Sequence, residues 1–109
     1  MAASLTADTQ GLALATSGTP ATQVLLVQHA LPWHLILKNV SGGNVTAVRL
    51  RSRTHAAGPW TPWESVTTGL PIAAGDTISL VERDLRAQAI EVEVTAASAG
   101  SVEFWLAGV

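Results

Sequence analysis

Apolar residues in this chain recur at every second position over several short stretches. In "IEVEVTA", Ile90, Val92 and Val94 alternate with Glu91, Glu93 and Thr95, and "TISLVE" (Thr77 to Glu82) and "VEFWLAG" (Val102 to Gly108) keep the same period. A period of two is what a strand with one buried and one wet face produces. The pattern predicts strands at about Thr22–Ala30, Trp33–Val40, Thr46–Thr54, Trp63–Thr67, Thr77–Glu82, Ala89–Ala97 and Ser101–Ala107. Two segments break it: "VLLV" (Val24 to Val27) and "LIL" (Leu35 to Leu37) are apolar on both faces, which implies cover on both sides.

Between these segments lie turn signals. "SGGN" (Ser41 to Asn44) has the residues of a tight hairpin, and "AAGD" (Ala73 to Asp76) and "SAGS" (Ser98 to Ser101) punctuate the chain further. Only "ERDLRAQA" (Glu82 to Ala89) suits a helix, of one or two turns. The region Ala3–Gln23 is small and polar and reads as an extended N-terminal arm, with "GLALAT" (Gly11 to Thr16) able to form a short strand. The expected organisation is an arm over residues 1–23 and a domain over residues 24–109. The fold class is all-β: a single antiparallel β-sandwich of about seven or eight strands, jelly-roll-like or immunoglobulin-like. Cover for the two-sided strands would come from the arm or from another subunit.

Composition narrows the function. A chain of 109 residues supports one core. Hydrophobic residues make up 48% and mean hydropathy is +0.33, yet no apolar run approaches the roughly 18 residues that span a bilayer. Charged residues are only 13%, against roughly 25% in ordinary domains, which suits a surface that is covered in an assembly. A net charge of −2 offers no bulk attraction to nucleic acid or an anionic membrane. With no cysteine there are no disulfides, thiolate nucleophiles or zinc–thiolate sites. The first lysine or arginine is Lys38, so neither a secretory signal nor an Arg-rich transit peptide is expected, and the protein is read as made in the cytoplasm.

Catalytic and metal chemistry find little support. His29, His34 and His55 are scattered and read as polar residues at strand ends, not as ligands. Glu91, Glu93 and Glu103 are expected on one solvated sheet surface without the Asp-rich loop of a hard-cation site. No nucleophile elbow and no phosphate-cradling glycine loop is present, so no enzyme, cofactor or metal is expected. Asn39-Val40-Ser41 and Asn44-Val45-Thr46 are formal glycosylation sequons, read as accidents of composition.

The most distinctive stretch is "GPWTPWES" (Gly58 to Ser65), which follows "VRLRSRT" with Arg49, Arg51 and Arg53 at alternate positions. In a polyproline II segment Trp60 and Trp63 project from one face about 9 Å apart. The arginines project from one strand face at about 6–7 Å spacing. Laid side by side, the two sets can interleave with cation–π contacts. "WTPWES" resembles the W-S-x-W-S motif of fibronectin-type domains in cytokine receptors, which implies a structural Trp/Arg stack. The rival is a sugar-stacking platform on Trp60 and Trp63, for which Glu64 is the nearby hydrogen-bonding candidate. The stack is the preferred reading.

As a whole the chain resembles the small β-sandwich virion proteins of tailed bacteriophages, especially head decoration (cement) proteins. The small-residue N-terminal arm, "LKNVSGGNVTAVRLRSR", "LPIAAGDTISLVERDLR" and "IEVEVTAASAGSVEFWLAG" carry the likeness. It implies a non-enzymatic structural protein of the virion, assembled in the host cytoplasm, that forms a homo-oligomer (a trimer favoured) and stabilises the lattice of the major capsid protein. The alternatives are a tail, neck or baseplate component and a carbohydrate-binding module.

Overall fold

A computed structural model describes residues 7–67, 69–83 and 86–108. These residues form eight strands and no helix: β1 (Ala7–Ser17), β2 (Ala21–Leu26), β3 (Trp33–Asn39), β4 (Val45–Arg53), β5 (Glu64–Val66), β6 (Thr77–Arg83), β7 (Ala89–Ala96) and β8 (Ala99–Gly108). They make two four-stranded sheets, β1-β8-β3-β6 and β2-β7-β4-β5, and every pairing is antiparallel. Only β4 and β5 are both consecutive in the chain and paired. Every other connection crosses from one sheet to the other. This order is that of a jelly roll, which resolves the choice left open against the immunoglobulin arrangement.

The core lies where the alternating patterns predict it. Ile90, Val92 and Val94 of β7 face Leu35 and Leu37 of β3 and Phe104 of β8, and all six are fully buried. Their outward neighbours Glu91 and Glu93 stay at the surface of the second sheet. Glu103, expected beside them, lies instead on β8 in the first sheet, because β7 and β8 separate into different layers.

Three further expectations are corrected. The region read as an arm is an integral part of the sandwich: β1 pairs with β8 from Ala7↔Gly108 to Ser17↔Ala99. Ala7 and Thr16 are buried, and Leu14 packs on the core. The boundary expected at residue 23 falls inside β2. Small residues concealed this strand, because main-chain pairing at a sheet edge needs no large side chain. The cover expected over "VLLV" is also missing from the monomer: Val24 is 39% and Leu26 48% exposed, on an edge strand.

"SGGN" is no hairpin either, since β3 and β4 belong to different sheets. The turn is instead organised by Asn39, which is completely buried. Its amide donates to the carbonyls of Gly43 (2.8 Å) and Ile72 (2.9 Å), and its Oδ1 accepts from the Ser41 amide (3.0 Å) and hydroxyl (2.7 Å). Every polar atom of the side chain is used, as a buried amide requires. A buried Asn39 is also no acceptor for a glycan in the folded state. Of the segment expected to turn helical, residues 84 and 85 lie outside the described residues; Glu82 and Arg83 belong to β6, and Ala89 opens β7.

Candidate functional site

The five residues singled out in the sequence come together on the outer face of the second sheet. β4 presents Arg49, Arg51 and Arg53 on one side, as the strand period requires. After β4 the chain doubles back, and the Thr61 amide donates to the Ser52 carbonyl (2.8 Å) while the Ser52 amide donates to Thr61 Oγ1 (3.1 Å). That pairing lays the tryptophan segment alongside the arginine strand. The Arg49 guanidinium sits 4.6 Å from the Trp63 ring centroid, and Arg51 sits 4.4 Å from Trp63 and 5.2 Å from Trp60. Arg53 lies 4.5 Å from Trp60. The order along the stack is Arg49, Trp63, Arg51, Trp60, Arg53. The strand period leaves room for one ring between neighbouring guanidinium groups.

The acceptors lie on β7. Arg49 Nε and Nη2 donate to the two carboxylate oxygens of Glu93 (2.7 and 3.0 Å), and Arg51 Nε donates to Glu91 (2.7 Å). Arg53 Nε donates to the Gln88 side chain (2.9 Å). A guanidinium is planar, so hydrogen bonds at its rim leave its faces for the indoles. The hydrogen bonds to Glu93 push the Arg49 pKa above its ordinary value. Glu64, the polar candidate for the rival platform, accepts a hydrogen bond from Arg83 of the other sheet (2.6 Å). Indoles with a guanidinium on either side have no open face on which to stack a sugar.

A second place was not singled out in the sequence. Trp105, 42% exposed, stands on the outer face of the first sheet, where alternation in "VEFWLAG" puts Phe104 inside and Trp105 outside. The register of β1 shifts between Thr9 and Leu12, and Gly11 there has φ +66°. A Cβ at Gly11 would lie 3.2 Å from Cζ2 of Trp105, so the missing side chain lets the indole rest against β1. Beside it is a cleft of about 140 Å³ lined by Asp8, Gln10, His34, Ile36, Trp105 and Ala107. Asp8 accepts hydrogen bonds from Gln10 Nε2 (3.1 and 3.3 Å), and His34 Nε2 lies 2.7 Å from Ser79 Oγ. The short side chain of Ala107, in register with both Asp8 and His34, forms the depression.

The remaining histidines do not join this cleft: His55 Nδ1 bonds Thr54 Oγ1 (2.9 Å), and His29 sits in the loop after β2 with its amide on the Ala87 carbonyl (2.8 Å). Among the described residues no three His, Asp or Glu side chains are grouped so as to hold a metal ion.

No protein-family model matches the chain, and no curated protein is significantly similar to it. Solved structures are similar in fold. Chitosan-binding module 1 from a chitosanase/glucanase of Paenibacillus sp. IK-5 superposes with a TM-score of 0.56 at 18% identity, over 87% of this chain and 74% of that one. Module 2 of the same enzyme, solved with chitotriose, gives 0.56 at 17% identity, over 86% and 74%. The C-terminal domain of a chitobiase from Bacteroides fragilis gives 0.55 at 14% identity, over 84% and 64%. At these identities the likeness is one of fold.

Proposed function

We propose that this chain is a non-catalytic carbohydrate-binding β-sandwich module. The observation that carries the reading is the superposition of 86–87% of the chain on chitosan-binding modules, of which it spans 74%. A jelly roll hosts many activities, so the fold does not by itself fix the ligand, and the side chains must supply the site. The Trp/Arg stack is read as structural, and it leaves binding to another surface. Affinity electrophoresis in gels cast with chitosan, cellulose derivatives, xylan or mannan tests the proposal. Retardation by at least one of these polysaccharides is expected, and free migration through all of them would overturn it.

A second reading, the virion structural protein that the sequence resembles, is favoured by one surface. Leu12 of β1 and Val24 and Leu26 of β2 are exposed around a groove of about 360 Å³ between the two edge strands. Three exposed apolar side chains beside two unpaired strand edges suit packing against a second copy. Light scattering at micromolar concentration separates the readings: a trimer or dimer supports assembly, and a monodisperse monomer opposes it.

A further inference from the structure

We infer that the Trp105 cleft is the sugar-binding site, and that it takes one neutral or amino-bearing pyranose unit rather than an acidic one. This rests on the carbohydrate reading above and assigns it a place. A pyranose presents an apolar C–H face and a rim of hydroxyls. It is held by an aromatic face or edge flanked by fixed hydrogen-bonding groups, the general design of a small-molecule site. Trp105 supplies the aromatic surface, propped by the glycine bulge of β1. Asp8 and Gln10 stand on one side and His34 on the other, and between them they offer both donors and acceptors.

The cleft of about 140 Å³ is similar in volume to the ~150 Å³ apolar cavity that takes up one benzene ring, which is the scale of a single ring and not of two. All three polar side chains are already partnered. The Asp8–Gln10 pair and the His34–Ser79 bond hold them without a ligand, which limits the ordering cost of binding. By contrast, Trp60 and Trp63 are the more conspicuous pair in the sequence, but their faces are occupied by guanidinium groups.

Charge on this face decides the sugar class. Asp8, Glu82 and Glu103 project from the outer side of the first sheet, and Lys38, in register with Glu103, is the one lysine or arginine on that side among its described residues. Arg83, at the end of β6, is committed to Glu64 at the sandwich rim. A carboxylate sugar would approach a carboxylate-rich surface, whereas an ammonium sugar would meet Asp8 favourably.

Titration calorimetry of the intact chain with chitotriose, cellotriose and trigalacturonate tests the assignment. The wild type is expected to bind chitotriose or cellotriose at least about tenfold more tightly than trigalacturonate. Trp105→Ala is expected to weaken that binding by about tenfold or more, as for loss of an aromatic anchor, with the circular dichroism spectrum unchanged. Ala107→Leu, at an exposed position, fills the depression and should abolish binding without removing any polar group. Val40→Ser, at an exposed position outside the cleft lining, should bind as the wild type does. If the wild type binds a sugar and both cleft variants bind it equally well, the cleft assignment is overturned while the carbohydrate reading stands. Tighter binding of trigalacturonate overturns the sugar class. A wild type that binds none of the three, nor any polysaccharide gel, overturns the reading and this inference together.

Discussion

Replacing Trp63 with alanine is expected to lower stability by about 2–4 kcal/mol, since its indole contacts two guanidinium groups at once. Arg51→Ala should cost less, and the double variant should cost less than the two effects added, because each removes the same contact. Urea denaturation of the four proteins in that cycle is the measurement. Asn39→Ala is expected to cost about 2–4 kcal/mol, because it leaves the buried Ser41 amide without its acceptor and takes one of two donors from each of the Gly43 and Ile72 carbonyls. At this scale the stack was legible: three like charges on one strand face, beside aromatic residues three apart, have few low-energy arrangements. Asn39 was not. An asparagine ahead of "SGG" reads as an ordinary turn residue, and its burial depends on Ile72, which lies far along the chain. Trp105 was marked by its outward position in the alternation, but nothing local announces the neighbours Asp8, Gln10 and His34 that three different pairings bring to it.

The element most at variance with expectation is β1. A variant lacking residues up to Thr19 is expected to lose the native strand spectrum, or to melt at least about 10 °C lower, since the truncation uncovers one edge of β8 and opens the core at Leu14 and Thr16. Circular dichroism during a thermal ramp decides between this and an independent arm, for which the midpoint would not move. β2 to β8 were legible to within a few residues because each is a short alternating or apolar run beside a turn signal. β1 has only two large apolar residues, Leu12 and Leu14, and no strong period; much of what it contributes is main-chain hydrogen bonds, and those leave little trace in a sequence. Gly11 is the exception within it. Gly11→Ala should be destabilising by about 1 kcal/mol or more, from the positive φ together with the close approach of Trp105.

The whole molecule brings together features that no single segment predicts. Sheet membership depends on which distant strands pair, so the jelly-roll order could be narrowed to two candidates from the sequence and no further. Low charge also acquires a definite location: the exposed apolar residues gather partly at the β1/β2 edge, with Leu12, Val24 and Leu26, rather than scattering evenly. If that edge packs against a second copy, Leu26→Lys should return an oligomer to monomer in light scattering without changing the thermal midpoint of the isolated domain. A charge on an edge strand is how soluble sandwiches keep such edges apart.

The pairing of β1 with β8 has a consequence for how the protein is made. A ribosome delivers β1 first and β8 last, and β8 sits between β1 and β3 in the finished sheet. Until β8 leaves the exit tunnel, β1 has no partner and the first sheet is reduced to the β3–β6 pair. Two-stranded fragments are at best marginal in water. The four strands of the second sheet, though all made before β8, have no complete opposing layer to bury their apolar face against, so the nascent chain cannot fold piece by piece. Nascent chains stalled so that residues 1–98 have emerged should therefore be digested by protease as readily as an unfolded chain. Extending the exposed portion through Gly108 should produce protection in one step. Throughout elongation the apolar "VLLV" and "LIL" segments stay accessible, and it is there that a holdase chaperone would be expected to bind the growing polypeptide.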